Sequence, residues 1–163
     1  MNELKEALPK IKLHRIVSNL ASPNLTPSVN FKGFWNLQDE DWSIKFETNL
    51  GNFKLRLSKG WITDKRSGSS AVDLIIPKWS KNIIYCSTIA FHDAGYSGYL
   101  PKEEVDELFY QGLLLSGISK WRAKLAWSAV SAFGNGGYYD FDDKMPKPYT
   151  YNRSFESFEL VGK

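Results

Sequence analysis

The chain has 163 residues, 42% hydrophobic and 24% charged, and its 21 basic and 18 acidic side chains leave a formal charge of +3. That length fits one domain able to bury a core without disulfides or a structural metal, and the balance excludes intrinsic disorder, a collagen-like repeat and a coiled coil as descriptions of the whole. No apolar run approaches the roughly 20 residues of a bilayer span, and the charge surplus is spread without a basic block, so nucleic acid is not an expected partner. The single cysteine, Cys86, rules out an internal disulfide, and no Cys/His set has zinc spacing. The start, Met1-Asn2-Glu3-Leu4-Lys5-Glu6, lacks the apolar core of a secretory signal, which makes the cytoplasm the default site of synthesis.

Residues 3–20 read as a short helix, or two helical turns interrupted at Pro9, with an incomplete stripe of Leu8, Ile11, Leu13 and Ile16. A membrane-surface helix fits this loosely, and an arm packed on its own domain or on a partner fits it better. His14 falls in this arm and is expected at the surface. Residues 21–32 carry two prolines among Ser, Asn and Thr and read as a linker.

The clearest β signal follows. Trp42, Ile44 and Phe46 alternate with polar residues, as do Phe53, Leu55 and Leu57, and Asn49-Leu50-Gly51-Asn52 lies between the two runs. Period two on both sides of an Asn/Gly turn predicts a hairpin with one buried face. Trp61-Ile62-Thr63-Asp64 follows a bend at Lys59-Gly60, and Asp73-Leu74-Ile75-Ile76-Pro77 is expected as a third strand or a buried extended segment.

Three helices are predicted next. The first spans about 81–96 and is apolar nearly all round, as a central helix should be. The second begins at Pro101, with Glu103, Glu104 and Asp106 favouring a helix N-terminus, and ends near Gly117. The third is capped by Ser119 and stopped by Gly134. Residues 136–163, rich in Gly, Pro and Tyr, show no period and read as an irregular aromatic tail. The expected architecture is α+β: a small antiparallel sheet (hairpin plus one strand) on a three-helix unit, with arm and linker at 1–32, core domain at 33–135 and tail at 136–163.

Chemistry concentrates in the helical half. His92 and Tyr96, four residues apart, share a face with Tyr85 and Ile89, so the imidazole is expected to be buried and to need a hydrogen-bond partner. Projecting the second helix at about 100° per residue puts Val105, Phe109, Gly112 and Leu113 on the packing side, with Asp106 alone among the acids at its border. Glu103, Glu104, Glu107 and Gln111 fall toward solvent. Antiparallel packing of the two helices lets Asp106 reach His92, and a buried carboxylate needs such a partner. The set His92, Asp106, Tyr96 and Asp93 amounts to a base held by an orienting carboxylate, beside a ligand for a hard cation. It amounts equally to a polar pin between helices.

These residues carry two resemblances. Gly60-Trp61-Ile62-Thr63-Asp64, His92-Asp93-Ala94-Gly95-Tyr96, Asp106-Glu107-Leu108-Phe109-Tyr110 and Phe133-Gly134 follow, in order and spacing, the signature of a bacteriophage and prophage domain family of unknown function. The chain resembles that family over residues 59–140. It departs from it after Asp64, where a compact A-S-x-P is replaced by Lys65-Arg66-Ser67-Gly68-Ser69-Ser70. The resemblance implies a viral origin without an activity, and it singles out Thr63 and Asp64.

His-Asp-x-x-Tyr followed by an Asp on the next helix is also similar to the catalytic helices of calcium-dependent phospholipases of the A2 type. Carried over, that similarity implies His92 as general base of a hydrolase, Asp93 on Ca²⁺, and Asp106 and Tyr96 orienting His92. The calcium loop such enzymes need is matched only by residues 65–70, with one glycine. Two functions are therefore expected. The first is a virion or tail-associated component, made in the host cytoplasm, that binds other phage proteins or itself through the arm and tail. The second is a calcium-dependent hydrolase acting on membrane lipid.

Overall fold

The computed structural model describes residues 11–66, 73–133 and 147–162. The first ten residues of the expected arm, most of the loop after Arg66, Gly134 of the resemblance motif and the first part of the expected tail lie outside the described residues. Six strands come first: β1 (Leu13–Ser18), β2 (Leu25–Pro27), β3 (Trp35–Leu37), β4 (Asp41–Thr48), β5 (Gly51–Ser58) and β6 (Ile62–Thr63). Three helices follow, α1 (Ile83–Gly95), α2 (Lys102–Leu115) and α3 (Lys120–Phe133), then a short α4 (Lys147–Asn152), a 3₁₀ turn (Arg153–Phe155) and β7 (Glu156–Val161). The fold is α+β, with one antiparallel sheet in the order β1-β4-β5-β7 and another in the order β2-β3-β6.

The predicted hairpin is present, with Trp42 opposite Leu57, Ile44 opposite Leu55 and Phe46 opposite Phe53. Its inward side chains are all essentially inaccessible, and Phe46 stacks on Phe91 of α1 with ring centroids 3.9 Å apart. The helix predicted within residues 3–20 is replaced over 13–18 by strand β1, which pairs with β4. A register shift between Leu13 and Arg15 lets Leu13 and Ile16 both face inward. That bulge turns a period-two pattern into an apparent helical one.

Two further expectations are corrected. The C-terminal stretch expected to be irregular contains α4 and β7, and β7 extends the main sheet along β5, with Phe158 packed between Phe53 and Phe91. Residues 73–77, expected as a third strand or a buried extended segment, supply no strand; the strands beside the hairpin are β1 and β7, and Ile76 is buried among the helices. No helix among the described residues is long and apolar enough to cross a membrane.

Helix α1 is the middle layer. Cys86, Ala90, Phe91 and Ala94 face the sheet, whereas Tyr85 and Ile89 join Phe109, Leu113, Ala123 and Ala126 of the other helices. Asn82 caps it by accepting from the amides of Ile84 and Tyr85. The α1–α2 approach is set by two glycines. A Cβ on Gly95 would lie 2.9 Å from Val105 Cγ1, and one on Gly112 would lie 2.7 Å from Thr88 Cγ2. Neither position has room for a side chain, so the two helix backbones come close enough for short polar side chains to meet.

Candidate functional site

Tight packing of α1 on α2 places Asp106 beneath the C-terminal turn of α1, 2% exposed. Its Oδ1 lies 3.0 Å from His92 Nε2 and accepts from the Tyr96 hydroxyl at 2.5 Å. Its Oδ2 accepts from Lys102 Nζ at 2.6 Å, one turn back on α2. The same ammonium donates to the carbonyl of Val130 on α3 at 3.0 Å. His92, Tyr96 and Asp106 thus meet as their pattern predicts. Lys102, unflagged by that reasoning, stands at the i,i+4 spacing that could have revealed it.

Burial alone would raise the Asp106 pKa, but hydrogen bonds from His92, Lys102 and Tyr96 outweigh it and hold the carboxyl below its usual range. An ionised carboxylate can only accept, so His92 carries its proton on Nε2. The His92 ring lies between Tyr96 and Phe109, with centroids 4.3 and 4.5 Å away, and its side chain is 15% exposed. Burial, then the bond to Asp106, pushes the Tyr96 phenol well up, so it stays a donor.

The neighbouring residue looks the other way. Asp93, about 100° further round α1, accepts from Thr63 Oγ1 at 2.8 Å, which ties α1 to the end of β6. Its pKa is raised, first by burial and then by the charge of Asp64, with Glu156 adding and Thr63 opposing. Glu156, at the start of β7, accepts from Trp61 Nε1 at 2.9 Å and from the Tyr99 hydroxyl at 3.0 Å. Burial lifts its pKa to about 7 against those two bonds. The motif residues Thr63, Asp64 and Asp93 therefore gather at one place, separate from the His92 network. Glu156 escaped notice because it begins a segment without period.

Other contacts missed from sequence fasten the sheets to this unit. Asn152 pairs with both backbone groups of Ile62, accepting from its N–H at 2.8 Å and donating to its carbonyl at 2.7 Å. Gln111, expected toward solvent, instead accepts from the amide of Leu13 at 2.6 Å and donates to the carbonyl of Ile11 at 3.1 Å. His14 is exposed as expected.

Among the described residues no group of three or more His, Cys, Asp or Glu side chains is placed to hold a metal ion, and residues 67–70 of the loop expected to complete a calcium shell beside Asp93 lie outside them. One Asp93 oxygen is already taken by the Thr63 hydroxyl. Comparison with protein-family models, with curated proteins and with solved structures finds no match to this chain.

Proposed function

We propose that this is a non-enzymatic, phage-encoded component, virion- or tail-associated, in which the His92–Asp106 pair serves stability rather than turnover. The observation that supports the non-enzymatic part is the closure of the Asp106 network. One carboxylate takes three side-chain donors, one of them a cation, and the set links α1, α2 and, through Lys102, α3. A base oriented by a carboxylate draws on that negative charge to stabilise the imidazolium that forms in the reaction. Here the Lys102 ammonium neutralises it from the other oxygen. The phage origin is supported by the order and spacing of the Gly60, His92, Asp106 and Phe133 motifs. Binding to other phage proteins or to itself belongs to this reading.

A hydrolase reading is favoured by one feature, the fixed orientation of the His92 ring by Asp106 and Tyr96, which is the arrangement a general base needs. The calcium shell such a hydrolase needs would draw on the loop at 65–70, of which 67–70 lie outside the described residues. One comparison separates the two readings. Purified protein and its His92→Ala variant are melted, and each is assayed for fatty-acid release from phospholipid with Ca²⁺ present. The structural reading expects no release from either and a lower melting temperature for the variant. Release by the wild type, lost in a variant that melts normally, would establish the hydrolase.

A further inference from the structure

Helix α3 leaves large apolar side chains on its outer side. Its packing side is formed by Ala123 and Ala126, exposed 0% and 1%, with Val130 partly buried beside them, while Trp121 and Leu125, one turn apart on the opposite side, are 66% and 46% exposed. A surface helix ordinarily carries polar residues there. Between and beside these two stand Lys124 and Lys120, both exposed, and α3 contains no acidic residue. Its third cation, Arg122, is turned aside to donate to the carbonyl of Ile75 at 2.7 Å. At the corner leading into α3, Leu114 and Leu115 are also exposed.

We propose that this outer face of α3 docks on an anionic lipid surface. A Trp and a Leu one turn apart suit the headgroup boundary, where an indole keeps its N–H wet and its ring in the acyl edge. Lysine stems lie along such apolar surface while their ammonium groups reach lipid phosphates. Charge excludes the main rival, a second copy of the chain: a two-fold contact would bring this acid-free stripe against its own lysines. Nucleic acid would use the lysines but leave Trp121 and Leu125 idle. The surface lies on α3 and does not depend on what His92 does.

The test is sedimentation of the full chain with two sets of vesicles, phosphatidylcholine alone and phosphatidylcholine with an equal amount of phosphatidylglycerol. Wild type should pellet with the second set and much less with the first, and added salt should release it. The paired substitution Trp121→Ala with Leu125→Ala should weaken binding by about tenfold or more. Lys120→Glu with Lys124→Glu should weaken it similarly. All four positions are exposed, so both variants should keep the wild-type melting temperature. The proposal is overturned if wild type stays in the supernatant with anionic vesicles, or if the Trp121 and Leu125 variant binds them unchanged. Light scattering that shows a dimer dispersed by that same variant, without vesicle binding, would assign the face to a second copy instead.

Discussion

His92 and Asp93 are adjacent in sequence, yet helix α1 sends them into two sites that treat a carboxylate in opposite ways. On the α2 side, Asp106 has three side-chain donors, one charged, and its pKa is held down despite 2% exposure. On the β6 side, Asp93 and Glu156 receive only neutral donors, Thr63 for one and Trp61 with Tyr99 for the other, and both are pushed up. Burial is common to the two sites. The difference lies in the donors and the neighbouring charge. Asp106 is held by His92 first and then by the Lys102 ammonium, whereas Asp93 faces the charge of Asp64. At Glu156 two neutral hydrogen bonds and the more distant charge of Arg153 do not offset desolvation.

Removing the compensated group should have the largest effect. Asp106→Ala strands the Lys102 ammonium, the Tyr96 hydroxyl and the His92 N–H, and breaking a buried pair from one side costs about 3–5 kcal/mol. Urea denaturation at neutral pH should show that loss, and a change under about 1 kcal/mol, the scale of an exposed ion pair, would mean that the network is open to water.

The two sites should next be separable by pH. Asp106, held low, contributes stability that is present above the pKa of an unfolded aspartate and is lost as the solution is acidified through its depressed value. Glu156 has the opposite sign: its folded pKa of about 7 lies above the ordinary glutamate value of 4.5. Its stabilisation is present below the unfolded value and lost as pH rises through about 7, on the order of 3 kcal/mol across that window. Asp93 acts in the same direction. In Glu156→Gln, which keeps the shape of the protonated acid, the wild-type decline between those values should flatten. An unchanged pH profile would show that Glu156 is hydrated.

A smaller perturbation should reach one site only. Gly112→Ala drives a methyl into Thr88 across the α1–α2 contact and should cost about 1–3 kcal/mol as overpacking. Because it pushes apart the helices that bring Asp106 to His92, it should act on that site and leave the Glu156 pH response intact. Thr88→Ala in the same chain should recover much of the loss. No recovery would indicate that the helices already stand farther apart.

How much of this was open to sequence reasoning follows from where each signal lies. The hairpin was legible because β4 and β5 alternate without interruption, α1 because it is apolar nearly all round, and α2 and α3 because capping and turn residues bracket them. Asp106 could be placed since a helix fixes the direction of every side chain along it. Strand β1 was hidden by its bulge at Leu13 and Arg15, which gives Leu13 and Ile16 helical spacing. Strand β7 is an edge with Phe158 facing the core while Leu160 and Val161 remain exposed, so no alternation marks it. Glu156, Asn152 and Gln111 act at partners 95, 90 and 98 residues away in sequence, where no local spacing can point. Lys102 is the exception, a local i,i+4 partner of Asp106 that helical spacing could have supplied.

The most direct test of the polar pin is a double-mutant cycle on His92 and Asp106, with unfolding free energy and phospholipid hydrolysis measured on the same four proteins. A coupling of roughly 1–3 kcal/mol, with no hydrolysis by any of them, is the predicted result. Negligible coupling, together with wild-type turnover that disappears in the His92→Ala variant, would contradict it.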